Sequence, residues 1–195
     1  MRFLRNPATL LLLLLMVPLA CKREPSVNLE PLQLKDTRGN VVSVASLKGA
    51  QATVFLFLSP DCPLCINVSK TINEMAELYS KRGVSFITVF PGNFYSSDTI
   101  NSFREQYHID LPALMDGSFQ LTRMLNATVT PQVVVVNADE EIIYTGAIDD
   151  RSKKLGEKSQ VIKNPYLERV LDALLAKNEI PVKVTEPVGC FIEFE

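Results

Sequence analysis

The chain has 195 residues, 47% of them hydrophobic, with 20 Lys and Arg against 22 Asp and Glu and a single histidine, for a formal charge of −2. That near balance, without a basic stripe or a Lys/Arg cluster interleaved with aromatics, gives no support to nucleic-acid binding. The chain is long enough for one domain with a proper core, and no internal repeat or second domain is visible.

At the start, Arg2 and Arg5 precede an apolar stretch from Ala8 to Ala20, broken by Thr9 and Pro18 and followed by Cys21. The stretch is shorter than the ~20 residues that a membrane-spanning helix needs, and its lead is basic, so residues 1–20 read as a signal peptide. A cleaved secretory peptide and an uncleaved anchor are the other readings. All of them place the domain outside the cytoplasm, where disulfides persist. Without its two arginines the remainder carries 18 basic and 22 acidic residues, a formal charge of −4.

Residues 21–28 are polar, carry Pro25 and read as a tether. Leu32 to Lys35 alternates as a strand does, Asp36 to Asn40 is a turn, and Val41 to Val44 is a second strand. Ala52 to Leu58 is a continuous apolar run, the pattern of a central strand buried on both faces. Cys62 to Lys81 is helical, with Val68, Ile72, Met75, Ala76 and Tyr79 on one stripe. Pro63 falls in the first turn, where its missing N–H is tolerated, and Gly83 ends the segment. Val84 to Phe90 is a strand. Ser97-Asp98 caps a helix running to about Tyr107, with Ile100 and Phe103 inward. A short segment at Leu111 to Met115 and a helix from Ser118 to Leu125 lead to Val129-Thr130-Pro131. Gln132 to Val136 and Glu141 to Thr145 form an antiparallel hairpin. Asp150 to Gln160 is charged and reads as an exposed loop. Asn164-Pro165 opens a helix with Leu167, Val170, Leu171, Leu174 and Leu175 on one face. Residues 29–179 thus form the domain, and residues 180–195 a tail ending near Gly189-Cys190.

The chemistry sits in Ser59-Pro60-Asp61-Cys62-Pro63-Leu64-Cys65. A strand delivers two cysteines to the first turn of a helix, whose unpaired N–H groups and positive dipole end favour thiolate over thiol. The thiolate is the species that attacks disulfides. With Cys21 set aside, three cysteines remain, an odd count that leaves one free or exchangeable thiol.

The order of hairpin, strand, Cys-x-x-Cys helix, strand, helix, Thr-Pro, hairpin and helix resembles the thioredoxin-like superfamily. Within it, the chain is similar to the redoxin group that spans AhpC/TSA peroxiredoxins and TlpA/ResA-like envelope oxidoreductases. The likeness covers Leu29 to Lys177. It rests on Leu34-Lys35-Asp36 through Leu47-Lys48-Gly49, the Asp-Cys-Pro-x-Cys segment, Thr130-Pro131 and Tyr144-Thr145-Gly146. Gly146 to Asp150 and the terminal Val188-Gly189-Cys190 add a likeness to bacterial redoxin-domain proteins. The resemblance implies an α/β thioredoxin-like fold: a central mixed β-sheet flanked by helices, with an N-terminal β-hairpin and a C-terminal tail. It also implies a cis bond at Thr130-Pro131, Pro131 facing the cysteines, and a Thr130 backbone that pairs with an extended partner peptide. By analogy Asp149 and Asp150 lie near the site, with a solvated charged loop as the alternative. Cys21 directly after Ala20 resembles the lipobox of bacterial lipoproteins, which implies lipidation of Cys21 and a membrane anchor in the cell envelope. Pro18 and Leu19 stand where that motif usually has leucine and a small residue.

Two departures bear on mechanism. Thioredoxins carry a buried acid six residues before the first cysteine; here Leu56 occupies that position. Asp61 is either a substitute, whose negative charge would also raise the thiol pKa, or a solvated loop residue. Peroxiredoxins carry Pro-x-x-x-Thr/Ser-x-x-Cys; Ser59 and Cys62 satisfy the second half, but Phe55 replaces the proline. The leading expectation is an extracytoplasmic thiol–disulfide oxidoreductase acting on envelope protein thiols and disulfides, with Cys62 attacking and Cys65 resolving, and with no cofactor or metal. The alternatives are a peroxidase with Cys62 as the peroxidatic thiol, a structural Cys62–Cys65 bridge, and a binding or copper-transfer module. His108, the one histidine, stands at a predicted helix end, and Ile66 after Cys65 excludes covalent haem at this motif. Cys190 is either a third redox thiol or a thiol packed under the tail.

Overall fold

The computed structural model describes residues 25–154, 157–158 and 161–194; the expected signal peptide and Cys21 lie outside the described residues. Strands β1 (Gln33–Asp36) and β2 (Val41–Ser43) pair as the N-terminal hairpin. Its turn is held by Asp36, whose Oδ1 accepts the N–H groups of Arg38 and Asn40 at 2.9 and 2.8 Å, with Gly39 at φ +84°. β3 (Ala52–Phe57) leads through the cysteine segment into α1 (Pro63–Ser80), and β4 (Val84–Pro91) returns parallel to β3. After α2 (Ser97–Gln106) come β5 (Ala113–Asp116) and the short α3 (Gln120–Met124). β6 (Val129–Thr130), β7 (Gln132–Asn137) and β8 (Ile142–Gly146) follow, and α4 (Tyr166–Leu175) closes the domain.

The main sheet has seven strands in the order β2-β1-β5-β4-β3-β7-β8. β3, β4 and β5 run parallel, while β7 and β1 pair antiparallel to their neighbours. The mixture follows from the connections: helices carry the chain between parallel strands, whereas the turn between β7 and β8 admits only antiparallel pairing.

All six residues of β3 are buried, which is why its sequence is continuously apolar. Val54 and Leu56 pack on one face with Cys65, Val68 and Ile72 of α1 and Leu167, Val170 and Leu171 of α4. Phe55 and Phe57 pack on the other with Leu29, Leu32, Leu121 and Leu125. Fully burying such side chains contributes about 1.5–3 kcal/mol each, so the strand that ends at the thiols is firmly held.

Three segments differ from their sequence expectation. Ser96, one residue earlier than expected, caps α2 by accepting the Thr99 N–H at 3.2 Å. Within the expected loop at 150–160, β9 (Ser152–Lys154) and β10 (Glu157–Lys158) pair antiparallel; a charged stretch without apolar alternation carries no strand signal. The expected tether is partly docked: Val27 N–H donates to the Glu140 carbonyl, and the Pro25 carbonyl accepts from Ile142, both at 2.8 Å. At the other end of β8, Thr145 bridges Val184 in parallel. The edge strand is thereby covered from both chain ends, which removes free backbone groups that invite foreign strands.

Candidate active site

Cys62 is the N-cap of α1 and Pro63 its first helical residue, so the cysteine leaves the end of β3 where the helix N–H groups are unpaired. Cys65 lies one turn inside, fully buried, and its sulfur accepts the Ser59 N–H at 3.4 Å. The Cys65 thiol hydrogen-bonds to Cys62 and outweighs the opposing effect of burial. With the Cys190 thiol and the N–H groups of Cys65 and Leu64 adding to it, the Cys62 thiol is pulled down to about 5. Burial pushes the Cys65 thiol well up, and the Cys62 charge beside it adds to the rise. The two cysteines are thus driven apart: one is a thiolate at neutral pH and the other holds its proton.

The Thr130–Pro131 peptide bond is cis, and both residues are buried. The Thr130 carbonyl stands 3.1 Å from Cys62 Sγ, accepting its proton while Cys62 is neutral. Gln132, which the sequence reading placed only in a strand, positions this loop. Its Oε1 accepts the Thr128 N–H at 2.9 Å and the Val129 N–H at 3.3 Å, while its amide nitrogen donates to Thr145 Oγ1 at 3.2 Å. Replacing Gln132 with leucine leaves two N–H groups unpaired at nearly constant volume. The expected loss of stability is about 1–3 kcal/mol, read as a shift of the urea midpoint at unchanged slope.

Asp61 is exposed, lines the same cleft as Cys190, and is held by two hydroxyls. Its Oδ1 accepts the Ser59 hydroxyl at 2.6 Å and the Tyr95 hydroxyl. These donors, Ser59 first, hold the Asp61 carboxyl below the ordinary carboxylate range. Burial, with the hydrogen bond to Asp61 next, pushes Tyr95 up to about 12. Tyr95 is a second residue the sequence did not single out; it arrives from the loop after β4 and carries no motif. Asp149 turns its buried carboxylate to Arg151 at 2.7 Å, and Arg151 in turn donates to Thr71 of α1 at 2.7 Å. The pair ties the 149–151 segment to the cysteine helix. Asp150 accepts from Lys163 and Asn164 ahead of α4.

Cys190 is brought to the site. Strand β11 (Cys190–Phe191) pairs antiparallel with β6, Cys190 opposite Thr130, and Cys190 Sγ stands 2.7 Å from Cys62 Sγ. Burial, reinforced by the Cys62 charge, pushes the Cys190 thiol up to about 12. A cleft of about 460 Å³ opens beside it, lined by Ser59, Asp61, Tyr95, Thr130, Cys190 and Phe191 among others. His108 is exposed beyond the end of α2. Among the described residues no three His, Cys, Asp or Glu side chains form a group that could hold a metal ion.

A family model described as Redoxin matches residues 21–162. No curated protein matches the chain. Among solved structures, an uncharacterized conserved protein from Geobacillus kaustophilus is similar at 26% identity and a TM-score of 0.76, covering 89% of this chain and 94% of its own. A secreted disulfide oxidoreductase of Mycobacterium tuberculosis, described as homologous to E. coli DsbE, shares 22% identity at a TM-score of 0.50 over 57% of this chain and 79% of its own. The peroxidoxin BcpB of the same organism shares 15% at 0.58, over 79% and 96%. The fold is thioredoxin-like.

Proposed function

This chain belongs to the redoxin family, and from that premise we propose that it is a thiol–disulfide oxidoreductase, with Cys62 the attacking thiol and Cys65 the resolving one. The observation that carries the reading is the opposite placement of the two sulfurs: Cys62 at the helix N-cap with its thiol pulled down to about 5, Cys65 buried one turn on with its thiol pushed up. Cys62 thiolate attacks one sulfur of a partner disulfide, the partner's other sulfur leaves as thiolate, and a mixed disulfide forms. Cys65 then gives up its proton and attacks Cys62, releasing the partner as a dithiol and closing a Cys62–Cys65 disulfide. The partners are protein thiols and disulfides. We assign the domain to the bacterial envelope, anchored through lipid on Cys21; the basic lead, the short apolar core and the cysteine after Ala20 support this. No helix among the described residues is long and apolar enough to cross a membrane.

The test is redox titration against glutathione with peptide mapping at each poise. A reversible Cys62–Cys65 couple is expected; a pair that never forms, or never reduces, sinks the reading. The peroxidase alternative keeps the half-motif of Ser59 and Cys62, but the Ser59 hydroxyl is spent on Asp61 and lies 2.9 Å from that of Tyr95. Stopped-flow peroxide consumption separates the two.

A further inference from the structure

Cys62 is 1% exposed, and Cys190 of the C-terminal tail lies against it. The contact is built in. Thr185 accepts the Ala147 N–H at 2.9 Å and meets the Tyr144 hydroxyl at 2.6 Å, fixing the tail beside β8. Beyond it, the Ile192 N–H donates to the Thr128 carbonyl at 2.9 Å. Further on, the Phe194 ring packs on Phe119, centroids 5.2 Å apart, with the Arg123 guanidinium 5.4 Å from its centre. Gly189 lets the backbones meet: a Cβ there would fall 2.8 Å from the Thr130 carbonyl carbon. These contacts set Cys190 against Cys62 and leave Cys190, half-buried, as the thiol that lines the cleft.

We propose that Cys190 is the thiol through which the Cys62–Cys65 pair exchanges electrons with partner proteins: it forms a disulfide with Cys62 and presents that bond to the cleft. The proposal rests on the thiol–disulfide reading of the site and, while the tail is docked, moves the partner-facing step from Cys62 to Cys190. Starting from the Cys62–Cys65 disulfide, Cys190 loses its proton and attacks Cys62 Sγ. The Cys62–Cys65 bond breaks, its electron pair leaves on Cys65, and Cys65 takes up a proton; the oxidation level is unchanged. A partner dithiol then attacks Cys190 Sγ from the cleft, and Cys62 leaves as a thiolate. The partner's second thiol attacks the resulting mixed disulfide and frees Cys190. The partner is oxidised by two electrons to a disulfide, and the three cysteines end reduced by two. Run backwards, the same steps reduce a partner disulfide. The geometry makes attack at Cys190 the productive one, because the sulfur expelled is the stabilised one at the helix N-cap, and the more acidic thiol leaves faster.

The test uses the full chain. In the Cys65→Ser variant oxidised with diamide, peptide mapping is expected to find Cys62 joined to Cys190. In the Cys190→Ser variant the Cys62–Cys65 disulfide is expected to form still, but its reduction by thioredoxin, a protein dithiol, is expected to slow by at least about tenfold. Unchanged or faster reduction overturns the proposal. A reversible Cys62–Cys65 couple with Cys190 free throughout overturns it alone and leaves the oxidoreductase reading standing. Failure of Cys62 and Cys65 to pair in any background overturns both.

Discussion

Replacing Cys62 with serine is expected to reduce disulfide exchange to the uncatalysed background, a loss of at least about 100-fold in the release of thiol from a glutathionylated peptide. A hydroxyl in the same place has the helix N–H groups around it but cannot form a disulfide with Cys65, Cys190 or a partner, and every later step depends on one. Neither remaining thiol completes the exchange without it: Cys65 is fully buried, and the sulfur against which Cys190 would close a disulfide is that of Cys62. The double variant Cys65→Ser/Cys190→Ser keeps Cys62 and removes both thiols that can close a disulfide with it. It is expected to accumulate a covalent adduct with the peptide, visible by mass spectrometry, at little net turnover. Exchange in the Cys62→Ser variant at the wild-type rate would move the chemistry to another thiol and refute the assignment.

The pH response is the second large expected effect. With the Cys62 thiol pulled from an ordinary value of 9.0 down to about 5, its alkylation by iodoacetamide is expected to rise with a midpoint near pH 5 and to be flat by pH 7. Because Cys62 is buried, absolute rates are slow and the midpoint is the readout. The same shift makes the reduced protein's stability depend on pH. A thiol more acidic in the folded than in the unfolded chain stabilises the fold fully above the unfolded value and loses that contribution as pH falls through the folded one. Stability of the reduced form therefore rises from pH 5 towards 9. Above 9 it falls, because Cys65 and Cys190, whose thiols are pushed up, then resist ionisation that the unfolded chain allows. Oxidation to Cys62–Cys65 removes the rising limb. Urea midpoints of reduced and oxidised protein at pH 5 and 8 check this; parallel curves for the two redox forms would contradict it.

The order and type of the main elements were legible because each carried a strong local pattern. Ala52 to Leu58 read as a doubly buried strand, and the stripe of Val68, Ile72, Met75, Ala76 and Tyr79 is the buried face of α1. The cysteines announced themselves by spacing and position. What stayed illegible depends on contacts between distant parts of the chain. Gln132 is an ordinary strand residue until its amide is seen spanning Thr128, Val129 and Thr145. Tyr95 lies in a loop, 34 residues from the Asp61 it binds. β11 is two residues long, and no two-residue strand has a period to detect; its pairing with β6 needs the Gly189 contact that only the folded chain reveals. Asp149 and Asp150 looked alike in sequence, yet one is buried against Arg151 and the other holds the entry to α4.

The docking of residues 25–27 also fixes how the start of the domain lies relative to its thiols. β3 runs from Ala52 to Phe57 and delivers the cysteines at its far end, while Gln132 of β7 lies opposite Phe57, and Asn137 opposite Ala52. β8 reverses again, so Glu140 to Ile142, where the N-terminal segment attaches, lie at the pole opposite the thiols. Six residues of strand separate the two poles, about 20 Å at the usual rise. Residues 25–27 thus join the domain at the end of the sheet remote from the thiols. A partner that enters the cleft therefore meets none of the contacts that hold residues 25–27.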